Sequence, residues 1–165
     1  MRRLLFMLLL VLCSAAHATD WPSGWREPSV HELNDSNDDW RKDSKTKYSF
    51  ADGEFFGSGA RGHARLLVRE DGQTFGLLIQ QQSGGKWIVL IQMPIVHLQN
   101  MGVDRIVPGN YPTACGKGYW ECKAGEPAEL KLKNDAILFF ADGSAASAFV
   151  WRPRTKTFTR IWLSD

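Results

Sequence analysis

Two apolar runs, HARLLVR (63–69) and TFGLLIQ (74–80), flank the tetrad EDGQ (70–73). Asp71-Gly72 is a tight-turn pair, because glycine accepts the positive φ that a short hairpin connection requires. A chain that reverses here must pair its flanking runs antiparallel, which excludes an all-helical or parallel α/β core at this point. A third run, WIVLIQM (87–93), follows the turn SGGK. Together the three predict an antiparallel meander. The second and third are apolar over most of their length, so both are expected at central positions.

The rest of the chain extends this reading. MPIVHLQNMG (93–102) reads as a connector with one helical turn stopped by Gly102. VDRIVPGNYPTAC is extended but interrupted by prolines, which suits an edge. AELKLK, AILFF, SAFVWR and TFTRIWL (128–133, 136–140, 147–152 and 157–163) follow, with ADGS and RPRTK as turns. The expected architecture is all-β or β-rich α+β: one antiparallel, meander- or sandwich-like domain of about seven strands over 48–165. Residues 19–47 form a polar N-terminal segment that Trp21, Trp25 and Trp40 could anchor to the core. Ser29 followed by Glu32 predicts a capping box and a short helix.

The N-terminus points to export. Arg2 and Arg3 precede an unbroken apolar run, Leu4 to Leu12, and Ala16-His17-Ala18 places small residues where a signal peptidase reads them. This is the pattern of a secretory signal over 1–18, and the run is shorter than the roughly 20 residues a bilayer span needs. A periplasmic or secreted protein without a membrane span is expected. The 20 Lys and Arg exceed the 18 Asp and Glu only through Arg2 and Arg3, so cleavage leaves 18 against 18. No basic excess remains to attract nucleic acid.

Cleavage also removes Cys13 and leaves Cys115 and Cys122, which bracket CGKGYWEC. A redox dithiol usually has two intervening residues, and six stand here. A zinc site needs companion ligands, whereas His31, His63 and His97 are scattered singly. An exported chain permits a disulfide, and a disulfide is the best reading. It would hold Lys117, Tyr119 and Trp120 on a constrained loop. Tyr119 and Trp120 either pack down on the sheet or form a pre-ordered contact site, a use that suits aromatic side chains with few rotors.

ADGEFFGSGARGHARLLV (51–68) resembles the calcium loop of VCBS and FG-GAP type repeats, D-x-[DN]-x-D-G-x-x-D followed by a strand. With Gly59 at the motif glycine, Glu54, Phe56, Ser58 and Gly62 fall on the ligand positions. Calcium needs several oxygens at such offsets, and only Glu54 keeps a carboxylate. The turn is retained and the ligand set is not, so no metal or other cofactor is expected. DSNDDWRKD (35–43) shows the converse: Asp35, Asn37, Asp39 and Asp43 sit at ligand offsets, but Trp40 stands where glycine is needed and Thr46 where an EF-hand closes with glutamate. Residues 34–43 therefore read as a solvated acidic loop.

No G-x-S-x-G, H-E-x-x-H, P-loop or G-x-G-x-x-G occurs, so no catalytic residue is assigned. The string ACGKGYWEC…GEPAELKL…DAILFF…SAFVW…RIWLSD looks like uncharacterised small secreted proteins of Gram-negative bacteria. That resemblance, over roughly residues 50 to 165, implies a β-rich periplasmic domain and brings no activity with it. The expectation is a non-enzymatic periplasmic binding protein, of inhibitor or immunity type, acting on another envelope protein through Lys117, Tyr119 and Trp120. The alternatives are an envelope hydrolase or accessory enzyme built around His97 or His63, and a calcium-stabilised structural domain.

Overall fold

The computed structural model describes residues 21–33 and 40–165. The expected signal segment, with Asp35, Asn37 and Asp39 of the acidic run, lies outside them. Eleven strands run along the described residues: β1 (Trp25–Arg26), β2 (Phe50–Gly53), β3 (Gly62–Arg69), β4 (Thr74–Gln81), β5 (Ile88–Pro94), β6 (Met101–Ile106), β7 (Gly109–Pro112), β8 (Glu129–Leu132), β9 (Ala136–Ala141), β10 (Ala146–Arg152) and β11 (Thr157–Ser164). Every pairing is antiparallel, so the all-β class holds. The strands beyond seven come from short pieces and from the proline-interrupted stretch, where local alternation is too brief to read.

Period-two patterning explains the layers. Along β3 and β4, Ala64, Leu66, Val68, Phe75, Leu77 and Ile79 share one face and are buried. They meet Met101, Val103, Ile137, Phe139 and Phe149 of the second sheet, ordered β11-β10-β9-β6. Leu67 and Leu78, on the opposite face of the first sheet, pack beneath Trp25, with Trp21 and Trp87 beside them. Two-sided cover is why β4 reads as a continuous apolar run. The outer face of the second sheet is covered in turn by a two-stranded ribbon, β7–β8, through Tyr111, Leu130 and Leu132.

The hairpin forms at Asp71-Gly72 as expected, with Gly72 at φ +69° and Leu66 opposite Leu77. The capping box also forms. The Glu32 amide donates to Ser29 Oγ at 3.2 Å, and the Ser29 amide donates to Glu32 Oε2 at 2.7 Å, ahead of the short helix α1 (Val30–Leu33). Arg26 donates to the same carboxylate at 2.7 Å and, more than any other contact, pulls its pKa down to about 2.

Three expectations are corrected. β5 is an edge strand, not a central one: the first sheet runs β1-β3-β4-β5, with β2 also on β3. Its apolar run arises because Leu90, Ile91 and Met93 lean on the core while Ile88 and Val89 remain 38% and 45% exposed. Gly102 does not stop a helix. The 3₁₀ turn Ile95–Asn100 ends before it, and Gly102 lies within β6. The Phe140 ring occupies its side-chain space, so that an added Cβ would sit 2.4 Å from Cζ.

The third concerns 40–43, a 3₁₀ turn that leaves Lys42 and Asp43 exposed but packs Trp40 and Arg41 inward. Trp40 stacks on Tyr48, and Arg41 is only 2% exposed. Its guanidinium donates to the carbonyls of Leu33, Lys47, Leu98 and Met101 at 2.6–2.9 Å. These bonds offset much of the desolvation cost of a buried cation, yet burial still pulls its pKa down to about 10.

Candidate functional site

The stapled segment is the tip of the β7–β8 ribbon. Thr113, fully buried, organises it: the hydroxyl donates to the Pro127 carbonyl at 2.7 Å and accepts the Gly116 amide at 3.2 Å. The Lys117, Gly118 and Tyr119 amides then donate back to the carbonyls of Thr113, Cys115 and Ala114. Cys115 and Cys122 form the expected disulfide, with Cα atoms 5.0 Å apart. Gly116 is required by close approach: a Cβ there would lie 1.8 Å from the Ala128 carbonyl oxygen.

The tip is fastened to the edge of β11. The Ala114 amide donates to the Trp162 carbonyl at 2.9 Å, and Lys117 Nζ donates to the Leu163 carbonyl at 2.8 Å. Lys117 therefore tethers the loop as well as sitting at its surface. Tyr119 points outward and is 53% exposed. Trp120 is half-buried, and its indole Nε1–H donates to Glu126 Oε1 at 3.1 Å. The question left open by the sequence resolves unevenly: Tyr119 faces solvent, while Trp120 forms one wall of a groove.

That groove, of about 450 Å³, runs between the loop and β11. Trp120, Lys123 and Glu126 form one side; Arg152, Arg160 and Trp162 form the other. Arg160 lies 3.9 Å over the Trp162 ring, and its Nε donates to the buried Ser147 Oγ at 2.9 Å. Burial lowers its pKa from the ordinary arginine value. Sequence reasoning did not pick out Arg152, Arg160 or Trp162. One signal was present: in TFTRIWL the alternation puts Arg160 on the same face as Phe158 and Trp162, a cation set between aromatics.

The four calcium-loop positions are dispersed. Glu54 Oε2 accepts the Gly59 amide at 3.1 Å, closing the loop on itself. Phe56 turns inward against Trp151 and Phe158. Ser58 is exposed. Gly62 belongs to β3, opposite Gly53 and Gln81. Among the described residues no group of three or more His, Cys, Asp or Glu is arranged to hold a metal ion.

His97 is exposed on the 3₁₀ turn. His63 meets Asp52 across β2–β3, Nδ1 to Oδ1 at 2.7 Å, on the half-exposed outer face. Among the described residues no hydroxyl or thiol is bonded to His63. No protein-family model matches the chain, and neither a curated protein nor a solved structure is found to match it.

Proposed function

We infer that the chain acts by binding another protein, as an inhibitor or immunity-type protein that blocks an envelope-targeted enzyme, with Lys117, Tyr119 and Trp120 in the contact surface. The observation carrying this reading is the preformed loop. A disulfide, a buried threonine and two tethers to β11 hold an exposed Tyr119 beside a positioned Trp120. Aromatic side chains fixed before binding lose little entropy on association, which favours affinity. The disulfide is compatible with an extracytoplasmic location, and no helix among the described residues is long and apolar enough to cross a membrane.

The test uses the purified protein as bait in periplasmic extract, beside a Tyr119→Ala/Trp120→Ala double variant with matched melting temperature. The reading expects a discrete envelope enzyme on the wild type, inhibited by it, and lost from the variant. Recovery of the same partners by both, or of none, sinks it.

The His63–Asp52 pair supports a second reading, an envelope hydrolase or accessory enzyme. It ranks below the first because the pair contacts no nucleophile and lines no part of the groove. It requires turnover of an envelope polymer that His63→Gln abolishes; binding without turnover would remove it.

A further inference from the structure

We propose that the groove between the stapled loop and β11 takes an extended segment of a partner protein carrying an Asp or Glu side chain, with the carboxylate on Arg160 and the segment's backbone along the free edge of β11. This rests on the reading that the loop is a protein-contact surface, and it specifies the chemistry of that contact.

Charge is the first support. Lys123, Arg152 and Arg160 line the groove against a single acid, Glu126. That carboxylate is already engaged by the Trp120 indole and the Lys123 amide. Among the described residues no carboxylate pairs with any of the three cations. Three cations against one carboxylate leave the lining with a net positive charge for an incoming carboxylate to meet.

The second support is the posture of Arg160. Its Nε is held by Ser147 Oγ and its plane rests on Trp162, while its two terminal amino groups bond to no described residue. Neither of them is a fully buried atom, so both can be reached from the groove. A fixed guanidinium with both terminal amino groups unbonded matches a carboxylate in bidentate geometry. An opposing charge would also offset the desolvation that burial already imposes on this cation.

The third support is backbone. β11 pairs only with β10. The bond from Ala114 to the Trp162 carbonyl marks the side of β11 facing away from β10. The two-residue period of the ladder sends the N–H and C=O of Arg160 and Phe158 to that same side, where no described strand meets them. The chain's own Ala114 thus begins an edge pairing that a partner strand would continue. Strand addition draws affinity from main-chain bonds and selectivity from neighbouring side chains. Because the free edge continues past Arg160 to Phe158, an internal acidic residue fits the site better than a chain terminus.

The test is an NMR titration of the purified protein with three peptides. The first is acetylated and amidated Thr-Val-Thr-Glu-Thr-Val-Thr. The second replaces Glu by Gln. The third is the Gln peptide with a free C-terminal carboxylate. The Glu peptide should shift the Trp120 Nε1–H and Arg160 Nε–H signals and bind about tenfold tighter than the Gln peptide, as a charge-assisted pair implies. Added salt should narrow that gap. Arg160→Gln should abolish the preference. Arg152→Gln, at an exposed position, should reduce it and decides the matter if Arg160→Gln fails to fold. Equal binding of Glu and Gln peptides, shifts elsewhere or absent, or preference for the free terminus would overturn the proposal. Failure here with a partner still captured through Tyr119 and Trp120 would leave the broader reading standing. The converse result would separate the groove from the loop.

Discussion

The edges at β5 and β11 expose the same kind of backbone in opposite settings. From Ile88 to Met93, β5 carries no charge and leaves Ile88 and Val89 substantially exposed. β11 is overlain at one end by Ala114 and Lys117 of the stapled loop, and beyond them it presents Arg160 between aromatic rings. An uncharged apolar edge accepts any strand and is a general association hazard. An edge flanked by a fixed cation rejects strands that cannot neutralise it, so it becomes selective. What separates the two is the side chains around the ladder, since the main-chain groups are alike.

The largest effect expected falls on the cover of β11. Gly116→Ala drives a Cβ into the Ala128 carbonyl, a backbone atom that cannot swing aside. A destabilisation of about 3 kcal/mol is expected in chemical denaturation, in the upper range for overpacking. Gly118→Ala, at φ +85° with open space around it, should cost only about 1 kcal/mol for its backbone conformation. Equal losses would mean that Gly116 is not seated against Ala128 as described.

Next comes the staple. Replacing Cys115 and Cys122 together by Ser should lower stability by about 2.5 kcal/mol, the chain-entropy value for so short a loop. In the unreduced, denatured wild type, thiol titration of the exported protein should find none free. Two free thiols would break the comparison at its root, since the β11 edge would lose its rigid border.

The smallest effect on stability, and the sharpest contrast between edges, comes from adding one lysine to each. Val89→Lys on β5 should change stability by less than about 0.5 kcal/mol and suppress concentration-dependent self-association in sedimentation. Thr159→Lys on β11, already beside Arg152 and Arg160, should leave association unchanged. If the wild type stays monomeric at every concentration, the β5 edge is not the hazard its composition suggests.

Much of the fold was readable because it is written locally. The β3–β4 hairpin, β8 through β11, the Ser29–Glu32 box and the cysteine bridge each depend on residues close in sequence. Only half of the candidate site was readable. Tyr119 and Trp120 announce themselves inside a stapled loop, whereas Arg152, Arg160 and Trp162 lie some thirty to forty positions away in an ordinary alternating strand. The loop tip meets them only because the β7–β8 ribbon folds over the outer face of the second sheet.

By itself the sequence determined the longer strands, the Asp71-Gly72 turn, which of their residues share a face and which cysteines join. Period-two alternation, positive-φ glycines and short loops are properties of neighbouring residues. Only the tertiary structure decided that β5 is an edge, that Arg41 is buried beneath four carbonyls and that Arg160 faces Trp120. A run such as WIVLIQM is equally apolar whether a strand or solvent lies beside it. The carbonyls of Leu98 and Met101 that hold Arg41 come from 57 and 60 positions away, a distance over which no local pattern extends.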